Sequence, residues 1–140
     1  MRRRFFNTNN TDAFDSLNYL SFTSEQDNST ISLTSMTSPD IKYSLNGGKW
    51  VQWDYSTITL NTGDVVYMKG DNSSGFSSAS NYNQFKMTGK IAASGNIMSL
   101  LYEEDFEERL IIPRNYCYYS MFQDCTSLTT APKLPATTLA

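Results

Sequence analysis

Side chains able to do chemistry are few in this chain, and most are carboxylates. The stretch YEEDFEERLIIP holds Glu103, Glu104, Asp105, Glu107 and Glu108 ahead of Arg109. Such a run invites two readings. One is a site for a hard cation, which needs several oxygens converging at bonding distance. The other is the acid and nucleophile of a glycosidase, which need a set separation across a cleft. A contiguous run supplies neither geometry by itself. On a short surface helix it is a solvated face, with Asp105 and Arg109 paired at i,i+4. The chain has no histidine, which removes the commonest general base, proton shuttle and metal ligand together. Cys117 and Cys125 are the only cysteines, with no second Cys or His pair to complete a zinc site. A disulfide is allowed on count, but buried free thiols are favoured, because free cysteine is among the most buried residue types. No glycine-rich phosphate loop is present either. No catalytic constellation can be assembled, and no enzyme activity, metal or cofactor is expected.

Binding chemistry is better represented. In KWVQWDY, Trp50, Trp53 and Tyr55 could form a platform for stacking against sugar faces. Trp50 and Trp53 have opposite parity, so a regular strand sends one into the core and the other to solvent or an oligomer contact. At the start, MRRRFFNTNNTDAF combines Arg2, Arg3 and Arg4 with Phe5 and Phe6. This reads as an arm that orders on a partner, arginines on acidic surface and phenylalanines in pockets; a frayed terminus has the same composition. Net charge is −3 and the other cations form no stripe, so nucleic acid is not an expected partner. No apolar segment follows the arginines as in a secretory signal, and no run nears the roughly 18 apolar residues of a membrane span. Action outside a cell would therefore need an export route other than a cleaved signal on this chain.

The elements that must position these residues are short strands. Ser and Thr make up roughly a quarter of the chain, a polar β-favouring composition. NYLSFTSE and STISLTSM alternate with a period of two, and IKYSLNGGKWVQWDY reads as a hairpin turning at Asn46-Gly47-Gly48. TITLNTGDVVYMKGD predicts a strand, a turn and a second strand, and NQFKMTGKIAA adds at least one more. Such a series predicts a small antiparallel β-sandwich or barrel. Gly70 to Asn81, GDNSSGFSSASN, reads as an exposed loop. The organisation is an arm over 1–17, a β-sandwich module over 18–97, an acidic helical connector over 98–114, and a repeat-like segment over 115–140.

That last segment, NYCYYSMFQDCTSLTTAPKLPATTLA, reads as one whole unit of a repeat, with LIIPR at Leu110 to Arg114 as a degenerate copy of its end. CYYSMF predicts one or two helical turns burying Cys117, Met121 and Phe122. CTSLTTAP predicts a turn and short strand burying Cys125 and Leu128, and Leu134 and Leu139 on the return leg complete the expected repeat core. A unit of this kind cannot cover its own apolar edge and needs neighbours. The stretch is similar over its full length to the tandem unit of the BspA-like leucine-rich-repeat proteins of gut Bacteroidota and their tailed phages. YLSFTSEQDNSTISL, YSLNGGKWVQWDYSTITLNTGDVVYMKGD and MTGKIAASGNIMSLL resemble a β-rich module that often precedes these repeats. RRRFFN resembles the start of such proteins in crAss-like phages and their hosts.

The resemblance implies a mainly β chain: the sandwich or barrel, a short helix, and the first unit of a leucine-rich-repeat solenoid that continues past Ala140. It implies binding rather than catalysis. The expected setting is a phage virion, as a fibre or decoration protein held by its N-terminal arm to a capsid or tail protein. Downstream repeats would then meet a glycan or protein on the host surface. By analogy with fibres, a homo-oligomer is expected, a trimer. The alternative is a bacterial cell-surface adhesin binding host protein or glycan.

Overall fold

The computed structural model describes residues 12–140. The arm residues Arg2, Arg3, Arg4, Phe5 and Phe6 lie outside the described residues. The fold is mainly β, with strands β1 (Leu20–Ser24), β2 (Ser29–Thr34), β3 (Lys42–Leu45), β4 (Val51–Gln52), β5 (Ile58–Leu60), β6 (Val65–Lys69), β7 (Gln84–Thr88), β8 (Ile91–Ser94), β9 (Ile111–Ile112), β10 (Leu128–Thr130) and β11 (Thr138–Leu139). They form three sheets, ordered β10-β8-β1-β6-β3-β4, β5-β2-β7 and β11-β9.

Alternation decides which side chains enter the core. In β2, Ser29, Ile31 and Leu33 are buried while Thr30, Ser32 and Thr34 are more exposed. Phe85 on β7 is the hub: its ring lies 5.3 Å from Phe22 of β1, 5.6 Å from Phe122, and stacks with Trp53 and Phe76. The six-stranded and three-stranded sheets therefore share one aromatic core. β1, in the middle of its sheet, is buried almost throughout. The 3-10 turn Ile97–Leu100 packs on it, and the Ser99 hydroxyl accepts from the Leu20 amide and donates to the Met68 carbonyl.

Most local turns follow their residues. β3 and β4 form the expected hairpin, Tyr43 opposite Val51, with Asn46 and Gly47 at positive φ. The Asn61 to Asp64 turn does something that sequence proximity does not suggest. β5 before it pairs with β2, while β6 after it pairs with β1 and β3. The turn is a corner between sheets.

Three expectations need correction. The acidic run of the connector forms a 3-10 turn at Phe106–Glu108 in place of an α-helix, anchored by the buried Phe106, although the Asp105–Arg109 pair forms at 3.1 Å. The Gly70 to Asn81 stretch is not simply a surface loop, because Phe76 and Ser77 are buried within it. CYYSMF builds no helix. Tyr116, Ser120 and Asp124 each take φ near +60°, and amides bond three residues back, Tyr119 to Tyr116 and Met121 to Tyr118. Left-handed residues at every fourth position break the helix into successive turns.

The C-terminal segment is joined to the rest by backbone. β10 adds to the edge of the large sheet in parallel with β8, Leu128 opposite Ile91. Beside this pair is a seam where Tyr19, Asn96 and Lys133 form successive parallel bridges. The Asn96 amide donates to Asn18 O at 2.9 Å, Lys133 N to Gly95 O at 2.7 Å, and Ile97 N to Lys133 O at 2.9 Å. Gly95 makes the seam possible: its φ is +78°, and a Cβ there would stand 1.8 Å from the Tyr19 carbonyl oxygen.

Candidate ligand site at the serine-rich loop

The tryptophan platform is dismantled by the fold. Trp50 and Trp53 are each 3% exposed, so neither faces solvent. Opposite parity fails as a guide because β4 ends at Gln52, and Tyr55 at φ 72° turns the chain away. Trp50 packs on Phe14 and Tyr19, with the Lys69 ammonium 4.4 Å over its ring. Trp53 lies against Phe85 and donates its indole N–H to Ser56 O at 2.9 Å. Tyr55 is half-buried and donates its hydroxyl to Pro39 O. All three are structural.

The repeat residues divide. Cys117 and Met121 are buried; Phe122, Cys125 and Leu128 are half-buried against the core; Leu134 and Leu139 are about half exposed. The last two were expected to pack in the repeat core; among the described residues β11 pairs with β9 and with no second strand. Both cysteines are free thiols. Burial pushes each thiol above its ordinary value, and Cys125 Sγ donates to Phe85 O at 3.0 Å.

The carboxylate run is split among cations rather than gathered. Glu103 meets Lys42 Nζ at 2.7 Å and Lys69 Nζ at 3.8 Å, while Asp105 takes Arg109. Burial alone would lower the Lys42 ammonium, but the hydrogen bond and charge of Glu103, with the charges of Asp40 and Asp71, together outweigh it and hold its pKa above the ordinary value. Among the described residues no group of three or more His, Cys, Asp or Glu side chains is placed to hold a metal ion. No helix there is long and apolar enough to cross a membrane.

What the fold does assemble is a polar cavity of about 240 Å³, lined by the Thr37 to Pro39 turn, the serine-rich loop and Arg114. Its walls are pinned. Gly70 N donates to Ser99 O, Asn72 N to Leu101 O, and Ser77 N to Cys117 O at 2.6 Å, while Phe76 stacks under the loop on Phe85. The fully buried Asn83 locks the turn to the loop: its Oδ1 accepts from the Met36 and Thr37 amides, and its Nδ2 donates to Thr37 Oγ1 and Phe76 O. Gly75, at φ +123°, lets the Arg114 stem cross the loop, since a Cβ there would lie 2.6 Å from Arg114 Cδ. Next to the cavity runs a line of tyrosines. Tyr82, the residue after Asn81, packs edge-on against Tyr119 at 5.5 Å, and Tyr119 packs likewise against Tyr116 at 5.4 Å. Tyr116 is 57% and Tyr119 43% exposed.

Sequence reasoning missed this place. The available signal was a serine- and asparagine-rich loop that contains one aromatic, Phe76, and an arginine directly ahead of NYCYY. No protein family, curated protein or solved structure matches the chain.

Proposed function

We propose that this chain is a non-enzymatic structural and binding module of the BspA-like leucine-rich-repeat kind. In this reading it is a fibre or decoration protein of a phage virion, and its small β-sandwich carries the first coil of a repeat solenoid. The observation that supports it is the parallel pairing of β11 with β9, Thr138 opposite Ile111 and Leu139 opposite Ile112, each 27 residues further along the chain. Parallel pairing of strands about one repeat length apart is how the coils of a solenoid stack. Leu110, Ile111, Leu134 and Leu139 are exposed around that pair. They form the apolar edge that a following coil would cover.

On this reading Arg2 to Phe6 dock to a capsid or tail protein, and the repeats meet a glycan or protein on the host surface. The assembly is a homo-oligomer, a trimer by analogy with other fibres. The test is quantitative proteomics of gradient-purified phage particles beside membrane fractions of uninfected bacteria from the same culture. Peptides of this chain at structural copy number in the particles are expected. Recovery from the uninfected membrane fraction alone overturns the reading and makes the chain a cell-surface adhesin.

A further inference from the structure

We propose that the cavity between Arg114 and the serine-rich loop binds an acidic sugar, with Arg114 pairing its carboxylate. The inference rests on the reading of the chain as a binding module and adds a site on the described module itself, separate from the contact assigned to downstream repeats. Its first support is unspent hydrogen-bonding capacity. Among the described residues the Arg114 guanidinium, the Asn81 side-chain amide and the Ser38 and Ser74 hydroxyls make no hydrogen bond or ion pair with the protein. The neighbouring Thr37 and Ser77 hydroxyls, by contrast, are committed to Asn83. The division is a sensible one: the inner polar groups hold the wall, and the outer ones are left for a ligand or water.

Charge narrows the ligand. The cavity lining carries one cation, Arg114, and no carboxylate, so the charge it offers a ligand is positive. A planar guanidinium pairs a carboxylate through two parallel hydrogen bonds. One arginine without other cations or a cradle of backbone amides suits a single negative charge better than a phosphate dianion. Hydroxyls and a carboxamide both donate and accept, which matches the hydroxyls of a sugar ring.

Size and surroundings agree. A volume of about 240 Å³ falls below the range of drug-sized pockets and holds one ring with its substituents. Tyr82 follows the lining residue Asn81, and the exposed Tyr119 and Tyr116 rings continue from it; aromatic faces stack on the apolar faces of sugars, which gives further units of an oligosaccharide a surface. The pinned loop means that little ordering accompanies binding, which favours a weak ligand.

The test is calorimetric titration of the whole chain with glucuronic acid, N-acetylneuraminic acid, glucose and inorganic phosphate as separate probes. At least one acidic sugar is expected to bind about tenfold or more tightly than glucose and phosphate, and the two acidic probes tell a uronate site from a sialic acid site. Arg114→Gln should abolish that preference, a loss of about tenfold or more, while Lys49→Gln, at an exposed lysine outside the cavity, should not. Tyr119→Ala should weaken an acidic tetrasaccharide and leave the monosaccharide unchanged. Each variant is checked for an unaltered unfolding midpoint, with Arg114→Lys as a second substitution should Arg114→Gln fail to fold. Equal binding of acidic and neutral sugars, binding of none, tighter binding of phosphate, or a folded Arg114→Gln chain with unchanged preference each overturns the proposal. Failure here leaves the virion reading standing, because that reading is decided by where the chain is found.

Discussion

Substituting alanine at Gly95 and, separately, at Gly63 isolates the energy of the seam. Both glycines have positive φ, +78° and +91°, so both substitutions meet the backbone penalty of about 1–2 kcal/mol for an L-residue in that region. They differ in surroundings. At Gly63 a new Cβ meets nothing within 4 Å, whereas at Gly95 it would sit 1.8 Å from Tyr19 O and 2.7 Å from Tyr19 C. Backbone cannot rotate aside like a side chain, so β1 and β8 must separate at their ends. The hydrogen bonds there, Asn96 to Asn18 and Lys133 to Gly95, are stretched or lost. At about 1 kcal/mol each, added to the φ term, Gly95→Ala should cost about 3–4 kcal/mol, against about 1–2 kcal/mol for Gly63→Ala. For a chain of this size that is a fall in midpoint of roughly 10–15 °C for Gly95→Ala and under about 7 °C for Gly63→Ala. Urea unfolding followed by the fluorescence of the buried Trp50 and Trp53 reads both. Equal losses for the two variants would falsify the account of the seam as a close backbone approach.

Phe85→Ala removes the ring shared by both large sheets and should cost about 3–5 kcal/mol in the same assay; a loss under about 1 kcal/mol would show that the sheets do not share a core there. The carboxylate of Asp64 accepts from the Asn61 amide and from the Asn46 side chain, which lowers its pKa below 3.8. A carboxylate with a depressed folded pKa stabilises the fold above its unfolded value, and that contribution is lost as pH falls through the lower, folded value. Asp64→Asn should therefore flatten the decline in stability as pH falls below about 4, and an unchanged acid limb would contradict the assignment. The thiols of Cys117 and Cys125 should react with a disulfide reagent at pH 8 many-fold more slowly in the native chain than in urea, Cys117 the slower of the two. Reaction of both at the unfolded rate would show that the segment does not pack.

What could be read from the residues follows the range of the forces involved. Alternation in STISLTSM and the Asn46-Gly47 turn are local signals, and β2 and the β3-β4 hairpin follow them. So does the Asp105–Arg109 pair, one helical turn apart in sequence. Partnering is not local. Nothing in TITLNTGDVVYMK says that its two strands enter different sheets, because that depends on which distant strand offers each a buried face. Trp50 and Trp53 were misjudged because parity holds only while a strand continues, and β4 lasts two residues. The cavity was illegible for a related reason. Its walls come from residues near 37, 75 and 114, brought together by the buried Asn83 and by the room that Gly75 leaves. A polar loop looks like solvent-facing filler until its buried anchors, Phe76 and Ser77, are seen.

The seam also sets how the molecule carries a mechanical load. β1 begins, and β8 and β10 end, at the same end of the large sheet, where Tyr19, Asn96 and Lys133 lie side by side. Tension applied between Asn18 and Lys133 first loads the hydrogen bonds of Gly95, Asn96 and Ile97, which lie at the end of the sheet. Tyr19 ties that end of the sheet to the aromatic core through Trp50 and Phe106. Pulled from its end, the junction would open one bridge at a time like a zip, with the β1-β8 and β8-β10 ladders next in line.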